Sequence, residues 1–356
     1  MNFYQDIITE LMAYFSQACS KKQIKMLEKY LLQEAEGRSV LIENFQKERN
    51  IKAQYIEMYS NREIENRAQD LLYLYFNLCR RNIAVGQYEV HYSNIIKKLF
   101  SSEEFPEDLK KVIKQIRSDL QSGNNVNGRL SKKAKEILKY EKIKSESNEM
   151  GETPKKKMIL KPQEDGLLYS WGMYHLHLDK NLEKENSFYY HRTGELLIVY
   201  IPFKEKQAYF LNVIMEHGKP GQAAAFAKQE YLNILEKNWP HLLDRYRISP
   251  NDSRNNFEPF SDENIRYLRK NGVNTVTANI FGPGGGINAD KSSTCVQIRV
   301  HKFLKEVDRI RKKIENNENQ SCASRTEYKL VLRDDQWIVM NGNQMIGLLV
   351  NDWGNL

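Results

Sequence analysis

The sequence predicts an α+β protein: an all-helical bundle over residues 1–145, a linker over 146–162, and an α+β domain with a mostly antiparallel sheet over 163–356. Three observations predict it. In the first stretch apolar residues recur at helical spacing. In the second, Ser, Asn, Glu, Gly, Thr and Pro crowd together ahead of Lys155, Lys156 and Lys157, a linker composition. In the third, β-rich runs are joined by connections of hairpin length, which favour antiparallel pairing over βαβ crossovers.

Taken in order, Ile7, Ile8, Leu11, Met12, Phe15 and Cys19 mark one buried face of a first helix. A second begins near Ser20 and carries Ile24, Met26, Leu27, Tyr30 and Leu31. Residues 68–81 are apolar nearly all round and predict a central helix. Pro106, Glu107 and Asp108 open another helix, with proline in the first turn and acids at the positive dipole end; it stops before Gly123. Ser131 caps a further helix through Ile137 and Leu138. Beyond the linker, strands are expected at 174–178, 195–202, 208–215, 273–281 and 294–300. Helices are expected at 222–238, stopped by Pro240, at 262–271, and at 303–316. Three closing strands follow at 328–332, 336–340 and 345–350, with Asp-Asp and Asn-Gly turns.

Composition narrows the class. Of 356 residues, 40% are hydrophobic and 28% charged, enough apolar surface for packed cores. No apolar run approaches the roughly 18 residues of a membrane span, so no membrane partner is expected. The N-terminal helix carries Asp6 and Glu10 inside its apolar pattern and does not read as a signal peptide. Cys19, Cys79, Cys295 and Cys322 form no CxxC pair, which argues against a zinc finger, and without a signal peptide the thiols are expected to stay reduced in the cytoplasm. The net charge of +8 favours nucleic acid or another polyanion as partner.

The densest reactive cluster is Tyr174-His175-Leu176-His177-Leu178-Asp179. On a strand, His175, His177 and Asp179 share one face while Leu176 and Leu178 share the other. Such a face suits a transition metal, or general acid–base work on a phosphodiester without metal. A hard-metal nuclease wants several carboxylates, and Asp179 with Glu216 is a thin supply, so the metal-free form is preferred and no cofactor is expected. His217 completes the catalytic set, with His191 as an alternative. The competing reading makes the histidines ordinary residues on a sheet face.

The Gly282–Gly286 run lacks the GxxxxGK[ST] of a phosphate-binding loop and reads as a hairpin tip. The 303–316 helix carries Lys302, Lys305, Arg309, Arg311, Lys312 and Lys313; Arg309, Lys312 and Lys313 are helical neighbours able to neutralise phosphates. Glu306, Asp308 and Glu315 offer the alternative of a balanced, solvated face. Lys132, Lys133, Lys135, Lys139, Lys142 and Lys144 form a second basic stretch, read as the end of a helix.

Asp165-Gly166-Leu167-Leu168 through Trp171-Gly172-Met173-Tyr174-His175-Leu176-His177-Leu178, then Asn238-Trp239-Pro240, Val273-Asn274-Thr275 and Gly284-Gly285-Gly286-Ile287 resemble the core of a group of bacterial proteins carried by mobile elements and phage-defence loci. The resemblance spans roughly Gly166 to Lys313. It implies a toxin-like or abortive-infection role and carries no catalytic residue with it. Two functions are expected on these grounds. One is a metal-independent ribonuclease using His175, His177 and His217. The other is a non-enzymatic sensor or regulator that binds nucleic acid, RNA before DNA, or a protein partner through the helical region.

Overall fold

A computed structural model describes residues 2–32, 63–130, 138–142, 156–160, 166–185, 187–192, 194–202, 205–215, 229–244, 261–270, 276–277, 280–281, 294–318, 328–333 and 336–349. In chain order the elements are α1 (Phe3–Ala18), α2 (Glu63–Arg81), β1 (Glu89–Tyr92), α3 (Asn94–Ser101), α4 (Glu107–Ser122), β2 (Leu138–Lys142), β3 (Lys156–Leu160), α5 (Gly166–Trp171), β4 (Met173–His177), β5 (Leu196–Tyr200), β6 (Gln207–Ile214), α6 (Glu230–Asn238), α7 (Asp262–Lys270), β7 (Val276–Thr277), β8 (Ile280–Phe281), α8 (Thr294–Glu318), β9 (Tyr328–Arg333), β10 (Gln336–Asn341) and β11 (Gln344–Leu348). The class is α+β, with a helical N-terminal region and sheets that are mostly antiparallel.

The chain forms two compact units, each gathered from separated stretches. The first takes Met1–Leu78, Lys135–Lys161 and Val296–Asn355; the second takes Cys79–Ala134 and Pro162–Cys295. Within 146–162, Lys156–Leu160 is strand β3, paired antiparallel with β2. Leu138, expected in a helix, is the first residue of β2; the rest of that expected helix, from Ser131 to Ile137, lies outside the described residues.

In the first unit, β9, β10 and β11 form an antiparallel sheet with β10 central. α1 buries Ile7, Ile8, Leu11 and Phe15, as its spacing predicts, together with Phe3 and Tyr4, whereas Met12 and Cys19, expected on the same face, are half-buried. Its two acids have a specific use. Asp6 Oδ2 accepts from the Leu330 N–H at 3.0 Å, and Glu10 Oε2 accepts from the Leu332 N–H at 3.1 Å. Asp6 and Glu10 lie one helical turn apart, while Leu330 and Leu332 are alternate residues of an edge strand. The carboxylates thus occupy donors that an open edge would offer to another chain. Phe303 of α8 packs on Phe76 and Trp337, with ring centroids 5.9 and 5.3 Å apart.

α8 corrects one expectation: residues 294–300 are helix, not strand. Val296, Val300, Phe303 and Val307 are buried at spacings of four, three and four, the signature of one helical face. The β-branched residues at 296 and 300 mimic a strand when that window is read alone.

In the second unit the sheet order is β1-β6-β5-β4, with β1 parallel to β6 and the other pairings antiparallel. β1 lies inside the stretch expected to be all helical, which corrects that expectation. Both faces of this sheet are covered. Leu176, Leu197, Val199, Ala208 and Phe210 join Ile113, Ile116 and Leu120 of α4 in one core. Met173, Ile198, Tyr200, Tyr209 and Leu211 join Trp171 of α5 and Tyr231, Leu232, Ile234 and Leu235 of α6 in another. A bulge in β6 leaves Leu211 outside the ladder register. Buried Ser93 answers it: its hydroxyl donates to the Leu211 carbonyl at 2.6 Å and accepts from the Ile96 N–H at 3.1 Å, capping α3. At the other edge Gly172, at φ 70°, ends α5 by donating to the Leu168 carbonyl at 2.8 Å and turns the chain into β4.

Candidate functional site

His175 and His177 lie on edge strand β4, opposite Ile198 and Leu196 of β5. They share a face, with ring centroids 6.4 Å apart, while Leu176 and Leu178 are buried in the core beneath the opposite face. The alternation read from the sequence therefore holds in the backbone. The setting is less open than a half-buried strand would give. His175 is half-buried, and His177 retains only 7% exposure. Their side of the sheet also carries Met173, Ile198 and Tyr200, members of the second core.

The end of this strand is held by Arg129, whose role the sequence reading missed. Arg129 keeps 3% exposure. Its Nη1 donates to the His177 carbonyl at 3.3 Å and to the Asp179 carbonyl at 2.9 Å. Its guanidinium lies over the Tyr190 ring, 3.8 Å from the centroid. Burial holds the Arg129 pKa below its ordinary value, opposed by Tyr190, Asp119 and Asp179. Leu178 N–H donates to Glu195, so Leu178 faces β5; His177 and Asp179 turn their carbonyls to the outer edge, where Arg129 meets them. Gly128 is required beside it, because a Cβ there would lie 2.1 Å from the Phe188 carbonyl oxygen.

Asp179 turns its carboxylate to the chain that follows: Oδ1 accepts from the Asn181 N–H at 2.7 Å. His191 is exposed in the next loop, its N–H donating to the Asn181 carbonyl. His217 lies outside the described residues, as do Glu216 and the Gly282–Gly286 run. Among the described residues no three His, Cys, Asp or Glu side chains gather to hold a metal ion.

Asn238-Trp239-Pro240 is a structural joint. Asn238 ends α6, its Nδ2 donating to Ile234 and its Oδ1 accepting from the Asn94 N–H at 2.8 Å. Trp239 stands edge-on to Tyr209 at 4.8 Å, and Tyr209 stacks on His91 at 4.8 Å. Burial, then Glu205 and Glu89, push the Tyr209 hydroxyl up to about 12.

The basic helix is α8. Lys302, Lys305, Arg309, Lys312 and Lys313 are exposed, as is His301. At about 100° per residue these six fall within a sector about 120° wide, and Glu306, Asp308 and Glu315 fall outside it. From Lys302 to Lys313 the stripe runs about 17 Å at 1.5 Å per residue. Two arginines are partly committed. Arg309 makes a two-point contact with Glu306, at 2.8 and 2.6 Å, which holds the Glu306 carboxyl below its usual range. Arg311 is half-buried, 3.4 Å from Asp308 and 3.9 Å from Glu315. Tyr4 of α1 donates to Asp308 at 2.9 Å and fixes the acid side of the helix. Among the described residues Lys302, Lys305, Lys312 and Lys313 have no carboxylate partner.

A comparison with family models finds no match, and no curated protein or solved structure is significantly similar to the chain. Among the described residues no helix is long and apolar enough to cross a membrane.

Proposed function

We propose that this protein binds nucleic acid, as a sensor or regulator of the phage-defence type that the sequence resemblance suggests, with α8 as its contact surface. The observation that carries the reading is the exposed stripe of Lys302, Lys305, Arg309, Lys312 and Lys313, whose four lysines have no carboxylate partner among the described residues. Cations so spaced neutralise successive phosphates and release their counterions. Arg309 is shared with half-buried Glu306, and a phosphate competes with that two-point contact for its guanidinium. The test is fluorescence anisotropy with labelled RNA and DNA oligonucleotides at low salt. Replacing Lys305, Arg309, Lys312 and Lys313 together by alanine should weaken binding by at least tenfold while leaving the helical circular dichroism unchanged. Equal affinity for the variant and the native chain would refute the reading.

The second reading, a metal-independent ribonuclease, is favoured by the two imidazoles on one face of β4, 6.4 Å apart. The burial of His177 makes His175 the residue that meets substrate in this reading, and His177 its support. RNA cleavage in the presence of EDTA, lost in His175→Ala, is its expected result. Cleavage unchanged in that variant removes His175 from the chemistry.

A further inference from the structure

The second unit carries a different cationic surface, built on aromatic rings. Tyr92 at the end of β1 and Phe100 of α3 are half-buried and meet edge to face, with centroids 5.4 Å apart. Each is covered by a cation from α4: Arg117 lies 5.0 Å from the Tyr92 centroid, and Lys114 lies 5.8 Å from the Phe100 centroid. Lys114 and Arg117 are one turn apart, and Lys97 precedes Phe100 by one turn of α3. All three cations are exposed. Among the described residues none of them is ion-paired, whereas neighbouring Lys110 is taken by Glu107 and by the Ser102 carbonyl.

We propose that this surface binds single-stranded nucleic acid, with an unpaired base stacked on the outer plane of the Arg117 guanidinium. Tyr92 holds the guanidinium from within, 5.0 Å from its ring centroid, and the side chain is exposed on its outer side. Lys97 and Lys114 neutralise the flanking phosphates. A duplex buries both faces of every base in its own stack; a single strand leaves them free for aromatic or guanidinium planes. The surface therefore discriminates by strandedness, where the α8 stripe reads charge alone. The proposal rests on the nucleic-acid-binding reading and adds the class of strand that is held.

The experiment compares one single-stranded RNA and its duplex, by anisotropy at low salt, on the full chain. Arg117→Ala should weaken single-strand binding about tenfold, the scale of one stacked base, and change duplex binding less than twofold. Arg117→Lys keeps the charge without the planar group, so it should lose nearly as much. The α8 variant should lose both ligands alike. A native-like single-strand affinity in Arg117→Ala, or full recovery in Arg117→Lys, overturns the stacking proposal while leaving the α8 reading intact. A native chain that binds neither ligand overturns both.

Discussion

Removing the Arg129 side chain tests how the histidine strand is held. Arg129→Ala deletes two hydrogen bonds to carbonyls at the outer edge of β4, at 3.3 and 2.9 Å, and the contact with Tyr190. A buried polar group left without its partner costs about 1–3 kcal/mol, and two carbonyls lose theirs here. A desolvated cation–ring contact adds about 1–2 kcal/mol. Against this, the variant no longer buries a guanidinium, whose desolvation costs several kcal/mol. The net expectation is a loss of about 3 kcal/mol. Urea denaturation followed by near-ultraviolet circular dichroism measures it, and hydrogen exchange at Leu176 and Leu178 locates it. Arg129→Lys keeps the charge but not the planar fork and should recover less than half. A stability within about 0.5 kcal/mol of native for Arg129→Ala would show that water replaces the guanidinium and that the clamp is not structural.

Replacing both Asp6 and Glu10 by alanine uncovers the β9 edge; the expected results are a loss of about 2 kcal/mol in urea melts and concentration-dependent light scattering. Ser93→Ala leaves the Leu211 carbonyl and the Ile96 N–H unmet at a fully buried position, so about 2 kcal/mol should be lost, with faster hydrogen exchange in β6 and α3. Glu306 has a depressed pKa, so its contribution is present above the ordinary carboxylate pKa and fades as pH falls through the depressed value. Arg309→Ala should return the Glu306 titration, read by NMR, to the ordinary range, and the stabilities of the variant and native chain should converge in acid.

Much of the fold is legible in single segments. The α1 face, the alternation in β4, the β5–β6 hairpin and the three closing strands all carry their own period. The failures come from windows too short to show it. The segment 88–92 alternates Tyr88, Val90 and Tyr92 and is followed by Ser93, a strand and helix cap in miniature, yet its helical flanks hide it. Val296 and Val300 read as strand until Phe303 and Val307 extend the series to one helical face. Arg129 leaves no local trace, because its partners at 177, 179 and 190 are brought to it only by tertiary folding. The same holds for Asp6 and Glu10, which look like solvated acids until the edge of β9 arrives. For the candidate site, the common face of His175 and His177 follows from alternation alone. Their burial does not, since it depends on α5 and α6 covering that side of the sheet.

The salt dependence of nucleic-acid binding decides whether α8 is the phosphate-binding surface. For a single strand the logarithm of the binding constant falls by about 0.7 per neutralised phosphate for each decade of salt. Neutralising Lys305, Arg309, Lys312 and Lys313 should therefore make the native slope steeper than that of the fourfold alanine variant by about 3. Parallel slopes for the two proteins would contradict the assignment of α8 as the phosphate-binding surface.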